Sequence, residues 1–290
     1  MQLPKLKFLA PKSADELAVV LAEHGERARI IAGGTDVIGA LQDKLFEADY
    51  IVDINGIPEL NHITYQKGKG LVLGGATKME DIAGSEIIQE KYHSLYQAIR
   101  QIGSPQIRAM ATIAGNSCNA SPCADTPPPL VTYGAKVTLT SKRGKRDVLL
   151  ADFIKGNRQV DRAPDEYVEC FTVPEPWPRS ACRFSTITLR AAVEIDVASI
   201  AVNVALGSGN KVDKIRISMG SVAPTPMRAV KAEQILLGNE PTDELIGQAA
   251  KSCSKECKPI DDLRASAAYR REVIRVIAAE TIKQAIDAIG

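Results

Sequence analysis

The chain has 290 residues, 45% hydrophobic and 24% charged, with 36 Lys and Arg against 35 Asp and Glu for a formal net charge of +1. That is the composition of a packed soluble protein of two domains or one large one, and it excludes a disordered chain, a fibre and a disulfide-stapled miniprotein. The balanced charge argues against a nucleic-acid partner, and no stretch approaches the roughly 20 apolar residues that span a bilayer.

The first residues, Met1-Gln2-Leu3-Pro4-Lys5, lack the apolar region of a secretory signal. The cysteines at 118, 123, 170, 182, 253 and 257 are therefore expected as reduced thiols in a cytoplasmic protein. In chain order, Lys7–Leu9 reads as a short extended segment. Ser13-Ala14-Asp15-Glu16 reads as a capping box, with Ser13 accepting an amide and Glu16 reaching back. Leu17, Val20 and Leu21 form a helical stripe that ends near Gly25. Ala28–Ala32 is a strand, a helix opens at Val37, and Tyr50–Ile54 is a further strand. This β-α-β-α-β run predicts a small mixed sheet.

Past Asn55-Gly56-Ile57-Pro58 the pattern changes. Ile63–Gln66 and Leu71–Leu73 flank the hairpin signature Lys67-Gly68-Lys69-Gly70. Thr77-Lys78-Met79-Glu80 is a second capping box, and Leu95, Ala98, Ile99 and Ile102 mark a helix that stops at Gly103-Ser104-Pro105. Lys136–Ser141 and Asp147–Leu150 predict a hairpin, with Lys142, Arg143, Lys145 and Arg146 as a solvated tip. Glu166–Val173 is a strand, and Pro174-Glu175-Pro176-Trp177-Pro178 a linker. Beyond it come an antiparallel pair, Ala198–Leu206 and Lys214–Ser218, and then helices. The last helix shows Val273, Ile274, Ile277, Ile282, Ile286 and Ile289 on one broad face. The chain is α+β with a boundary near residue 175.

Two segments look built for a ligand. Ile31-Ala32-Gly33-Gly34-Thr35-Asp36-Val37 joins a strand to a helix, so its glycines let backbone amides approach an anion at a helix N-terminus. Thr35 and Asp36 either cap the helix or bind ligand hydroxyls. Asp53 then sits where a Rossmann ribose-binding acid would, but Thr35 and Ile38 occupy places where that motif needs glycine. The second segment runs from Thr112 through Asn116, Asn119 and Asp125 to Pro129. Its small residues and prolines predict a loop that is a poor helix and a poor core, with amides that a ligand would satisfy.

Together, Ala-Gly-Gly-Thr-Asp at 32–36 and Thr-Ile-Ala-Gly-Asn…Ala-Ser-Pro-Cys-Ala-Asp at 112–125 resemble the FAD-binding medium subunits of molybdenum hydroxylases. These are the medium chains of the xanthine dehydrogenase, aerobic CO dehydrogenase and nicotinate dehydrogenase group. Gly103-Ser104-Pro105-Gln106-Ile107-Arg108 and Ala223-Pro224-Thr225-Pro226-Met227-Arg228 strengthen the resemblance. It implies a two-part FAD-binding domain of the vanillyl-alcohol-oxidase/PCMH type over 1–175, with subdomains of about 1–56 and 57–175. A smaller α+β domain of the CO dehydrogenase flavoprotein type would follow over 176–290.

The resemblance also implies which residues would hold FAD. They are Ile31, Ala32, Gly33, Gly34, Thr35, Asp36 and Val37 around the pyrophosphate, and Ile102 and Gly103 near the adenine. Thr112, Ile113, Gly115, Asn116, Asn119, Ala124 and Asp125 would line the ribityl and flavin, with Val168 as an apolar strand contact and Arg190 on the flavin-facing side of the second domain. Partners would be a large molybdopterin-binding subunit and a small subunit with two 2Fe-2S clusters, assembled as a dimer of heterotrimers. Electrons would pass through this subunit to an external acceptor.

Ala114 replaces a usual glycine, and Thr186 stands where members often carry a lysine four residues before the arginine. Loss of that cation should disfavour a reduced, anionic flavin. Either Glu194 or Asp196 matches the acid that usually follows the arginine. No cysteine-rich insertion suggests a further cluster, no histidine spacing suggests zinc, and no residue is assigned as catalytic. The alternatives are a self-sufficient FAD-dependent reductase or oxidase, and a non-redox scaffold that has lost its flavin.

Overall fold

A computed structural model describes residues 5–190 and 193–290. Strand β1 (Lys7–Leu9), helix α1 (Ala14–His24), strand β2 (Ala28–Ile31), helix α2 (Val37–Gln42) and strand β3 (Tyr50–Asp53) build a sheet in the order β1-β3-β2. Both pairings are parallel, so this sheet is not mixed. Each strand leads to the next through a helical crossover, which returns the chain in the same direction. Ser13 caps α1 by accepting the Glu16 amide at 3.2 Å. Glu16, however, takes the amide of Lys12 at 2.7 Å and leaves the capping box open.

Strands β4 (Ile63–Gln66) and β5 (Gly70–Gly74) form the expected hairpin. Six short helices follow: α3 (Met79–Gly84), α4 (Glu86–Lys91), α5 (His93–Gln101), α6 (Pro105–Met110), α7 (Ile113–Asn119) and α8 (Pro127–Tyr133). The second capping box does not form. Thr77 instead donates its hydroxyl to His62 O at 3.1 Å, and Glu80 accepts from Arg108 at 2.8 Å.

The stretch from Thr112 to Pro129 is helical at both ends, against the expectation of a loop. Thr112 caps α7, and Pro127, Pro128 and Pro129 fill the first turn of α8, where no amide is needed. All of α8 is buried, so this stretch supplies core as well.

Next come β6 (Lys136–Ser141), β7 (Gly144–Leu149), α9 (Leu150–Phe153), the small pair β8 (Ile154–Gly156) and β9 (Gln159–Val160), and β10 (Tyr167–Val173). The resulting antiparallel sheet has the order β4-β5-β10-β6-β7. Three residues of its basic hairpin are paired: Arg143 with Asp165, Lys145 with Glu169 and Arg146 with Glu166, each at 2.7 Å. All four basic residues are exposed, as expected of a solvated tip, and the ion pairs tie the hairpin to acidic residues just before and within β10.

The remaining chain forms β11 (Ser180–Ile187), β12 (Ala198–Leu206), β13 (Val212–Gly220) and β14 (Met227–Arg228), then α10 (Val230–Leu236), α11 (Asp243–Glu256) and α12 (Ala267–Asp287). The strands pair in sequence order. Every residue of β12 is buried because both its faces are covered. Ile200, Val202 and Val204 join the cluster under α10–α12, while Ala201 packs on Ala98 and Phe184. Strand β11 escaped the sequence reading because Ser-Ala-Cys-Arg-Phe-Ser-Thr-Ile alternates weakly. Among the described residues, no helix is long and apolar enough to cross a membrane.

Candidate functional site

The turn from Ile31 to Val37 leaves β2 at the end of the parallel sheet and enters α2. Gly34 has φ of 73°, a left-handed conformation that favours glycine. Gly33 has a different constraint, since a Cβ there would lie 2.1 Å from Met110 O at the end of α6. The amides of Gly33, Gly34, Thr35 and Asp36 find no protein acceptor among the described residues. Four consecutive donors thus line one turn. Helix α2 has only six residues, so these amides contribute more to the turn's attraction for an anion than a helix dipole does. Asp36 occupies the N-cap position without capping α2.

The second segment meets the first directly. Asn119, the last residue of α7, donates to Asp36 Oδ1 at 3.0 Å. Thr112 Oγ1 accepts the Gly115 amide at 3.1 Å, and a Cβ on Gly115 would sit 3.0 Å from that oxygen. Ile113 is fully buried, and Ala114 packs beside Gly75, where a Cβ would meet Val168 O at 2.4 Å. The methyl of Ala114 therefore faces Gly75, just past the end of β5. Asn116 Oδ1 accepts from Thr126 at 2.6 Å. Ala124 is buried, and neither Asp125 Oδ1 nor Ser117 Oγ has a hydrogen-bond partner among the described residues.

Ile102 and Gly103 precede α6. Ile102 O accepts from the buried guanidinium of Arg108 at 3.1 Å, and Gly103 takes φ of 44°. Among the described residues, no hydrogen bond brings Arg190 to either segment. It is exposed and bonded to Glu194 at 2.7 Å and to Val193 O at 2.9 Å. Of the two acids open at the sequence level, Glu194 thus accompanies Arg190. Asp196 is buried and faces Asp125, and burial together with the opposing acid raises the Asp125 carboxyl well above its ordinary range. Thr186 donates to Ala198 O at 3.2 Å.

Sequence reasoning missed Asn55, Lys78 and Gly75. Asn55 donates to Ala32 O at 2.7 Å, and Lys78 donates to Asn55 Oδ1 at 2.7 Å. The glycine pair Gly74-Gly75 at the end of an apolar strand was the signal available for the third; nothing in the sequence pattern marks the other two. All six cysteines are free, and burial pushes the Cys118 thiol up to about 11. Among the described residues no group of three or more His, Cys, Asp or Glu is placed to hold a metal ion.

The chain is similar to known proteins over nearly its whole length. Residues 4–176 match the family model described as the FAD binding domain in molybdopterin dehydrogenase, and residues 184–285 match the CO dehydrogenase flavoprotein C-terminal domain. The chain is 32% identical to the glyceraldehyde dehydrogenase medium chain of Sulfolobus acidocaldarius, over 97% of this chain and 98% of that protein. It is 31% identical to the xanthine dehydrogenase FAD-binding subunit of Escherichia coli O157:H7, over 94% of each. A solved chain of carbon monoxide dehydrogenase from Hydrogenophaga pseudoflava superposes with a TM-score of 0.94 at 29% identity, covering 100% of this chain and 99% of that one. This chain therefore belongs to the family of FAD-binding medium subunits of the molybdopterin dehydrogenases.

Proposed function

We propose that the chain is the flavoprotein electron-transfer subunit of a molybdenum hydroxylase complex, passing electrons between the iron–sulfur clusters of a partner and an external acceptor. The observation behind this reading is the convergence of two distant segments: four unpaired amides from Gly33 to Asp36 stand beside α7, joined to it through Asp36 and Asn119. Such a turn suits a pyrophosphate, and the buried, unpartnered oxygens of Ser117 and Asp125 suit a polyhydroxylated chain beyond it. The residues thus fit FAD.

Ile31 to Val37 would hold the pyrophosphate, and Ile102 and Gly103 the adenine end. Thr112, Ile113, Gly115, Asn116, Asn119, Ala124 and Asp125 would line the ribityl and flavin, backed by Val168. Arg190 would approach the flavin from the second domain. The bound FAD supplies the redox centre, and the chain's own work is to bind it, orient it and set its polar surroundings. Substrate oxidation belongs to a partner with a molybdopterin cofactor, and a small partner carries two 2Fe-2S clusters. The domain division we propose is 1–175 and 176–290, with subdomains of 1–56 and 57–175. The assembly is a dimer of heterotrimers in the cytoplasm.

The test is the visible spectrum of the purified chain, with mass analysis of what heat releases. FAD near one equivalent, without iron–sulfur absorption, is expected. A colourless protein that also refuses added FAD would overturn the reading.

A further inference from the structure

Lys78 is a half-buried cation standing behind the first glycine turn. Its Nζ donates to Asn55 Oδ1 at 2.7 Å and to Met110 O at 3.3 Å, and among the described residues it makes no ion pair. Burial lowers its proton affinity, which the charges of Asp53 and Asp81 offset only in part.

An ammonium group donates and never accepts, so Lys78 dictates how the Asn55 amide is turned. With Oδ1 facing Lys78, Asn55 Nδ2 faces Ala32 O and Asp53 Oδ1, each at 2.7 Å. In a trans peptide the C=O and the following N–H point in opposite directions. Holding Ala32 O against Asn55 therefore aims the Gly33 N–H away from it. The other acceptor of Lys78, Met110 O, is the atom against which the Cα of Gly33 is packed. One side chain thus reaches both supports of the turn.

We propose that Lys78 is a positioning residue for the FAD pyrophosphate: through Asn55 and Met110 O it holds the Ala32–Gly33 peptide with its amide outward, and its charge attracts the phosphates. This inference rests on the reading of the chain as an FAD-binding subunit. Both contributions concern the phosphates, so the role has an ionic-strength signature that a purely structural lysine lacks.

The experiment titrates FAD into the deflavinated full-length protein at low and high salt, with flavin fluorescence as the readout. Wild type is compared with Lys78→Met, Lys78→Gln and Lys78→Arg, each also melted without flavin. Lys78→Met is expected to bind about tenfold more weakly at low salt and to show a flatter salt dependence, while Lys78→Arg stays within about threefold of wild type. Lys78→Gln keeps a donor without the charge, serves if the Met variant fails to fold, and should share its flatter salt dependence.

Neutral variants that bind FAD as tightly as wild type would overturn the inference. So would a loss equal at both salt concentrations and not rescued by Arg. Either result leaves the FAD reading standing, whereas a wild-type chain that takes up no FAD overturns both.

Discussion

Asn119 Nδ2 donates to Asp36 Oδ1 at 3.0 Å across 83 residues of sequence, tying the end of α7 to the turn between β2 and α2. Asn119→Ala removes one hydrogen bond at a partly solvated place, which should cost about 1 kcal/mol of stability. FAD affinity should fall several-fold, because the two halves of the cradle are no longer held together. Asn119→Asp should be worse at neutral pH, since it sets two carboxylates face to face, and should recover on acidification. Flavin titrations and thermal melts of both variants check this. An Asp variant no weaker than the Ala variant at neutral pH would mean the two segments do not depend on this contact.

Gly33 and Gly34 are adjacent but constrained by different physics, so alanine should affect them unequally. At Gly33 the new Cβ overlaps Met110 O at 2.1 Å, a backbone atom that cannot swing aside. Relief requires α6 or the turn to move, for an expected loss of about 1–3 kcal/mol. At Gly34 the nearest atom is Ile31 Cδ1 at 3.4 Å, leaving mainly the cost of φ at 73°, about 1 kcal/mol. Urea unfolding should rank Gly33→Ala below Gly34→Ala, and FAD retention should follow the same order. The reverse order would show that conformation, not the approach of α6, constrains the turn.

What could be read in advance follows from how local each signal is. Strand-turn-helix at Ile31–Val37 was legible because glycines and a following apolar stripe are neighbours in sequence. The parallel direction of its sheet was less so, because direction depends on where a crossover helix packs. The helix α7 was hidden by its composition: Gly115, Asn116 and Ser117 are poor helix formers, and the cap from Thr112 together with burial of Ile113 and Ala114 overrides them. Asn55 and Lys78 were invisible because their relevance comes from contacts with Ala32 and Met110, 23 and 32 residues away.

The second domain carries a buried cation whose partner can be tested. Arg270 donates to Val197 O, to Ser221 O at 3.1 Å and to Asp262 at 2.7 Å. Burial pushes the Asp262 carboxyl up. The amides of Arg264 and Ala265 and the Arg270 guanidinium outweigh that and bring it to about 2. Asp262→Asn leaves the guanidinium without a counter-charge. The carboxylate keeps some contact with solvent, so the expected cost is about 2 kcal/mol, below that of a fully buried pair. A depressed value stabilises the fold above the ordinary carboxylate pKa, and that stabilisation fades as pH falls through the depressed one. Wild type and variant should therefore differ at neutral pH and converge between about pH 4 and pH 2. Melts that differ equally at both ends would remove the charge from the explanation.

Asp125 and Asp196 present the opposite sign. Burial is the main cause that raises both, and for Asp125 the neighbouring acid adds to it. Two carboxyl groups that face one another out of water are favoured when a proton lies between them. Their folded values stand above the unfolded ones, so their contribution is complete below the ordinary carboxylate range and is lost as pH rises through the raised values. Asp196→Asn replaces the shared proton with an amide that donates to Asp125 at every pH. Wild type should lose thermal stability as pH rises above the ordinary carboxylate range, at roughly 2–4 °C per kcal/mol, and the variant should lose less. Equal slopes would mean that the two acids titrate independently. The contact also joins the segment after α7 to the turn before β12, so its alkaline loosening should weaken the hold of the second domain on the first. Limited proteolysis at the Pro174–Pro178 linker should then quicken with pH in wild type and not in Asp196→Asn.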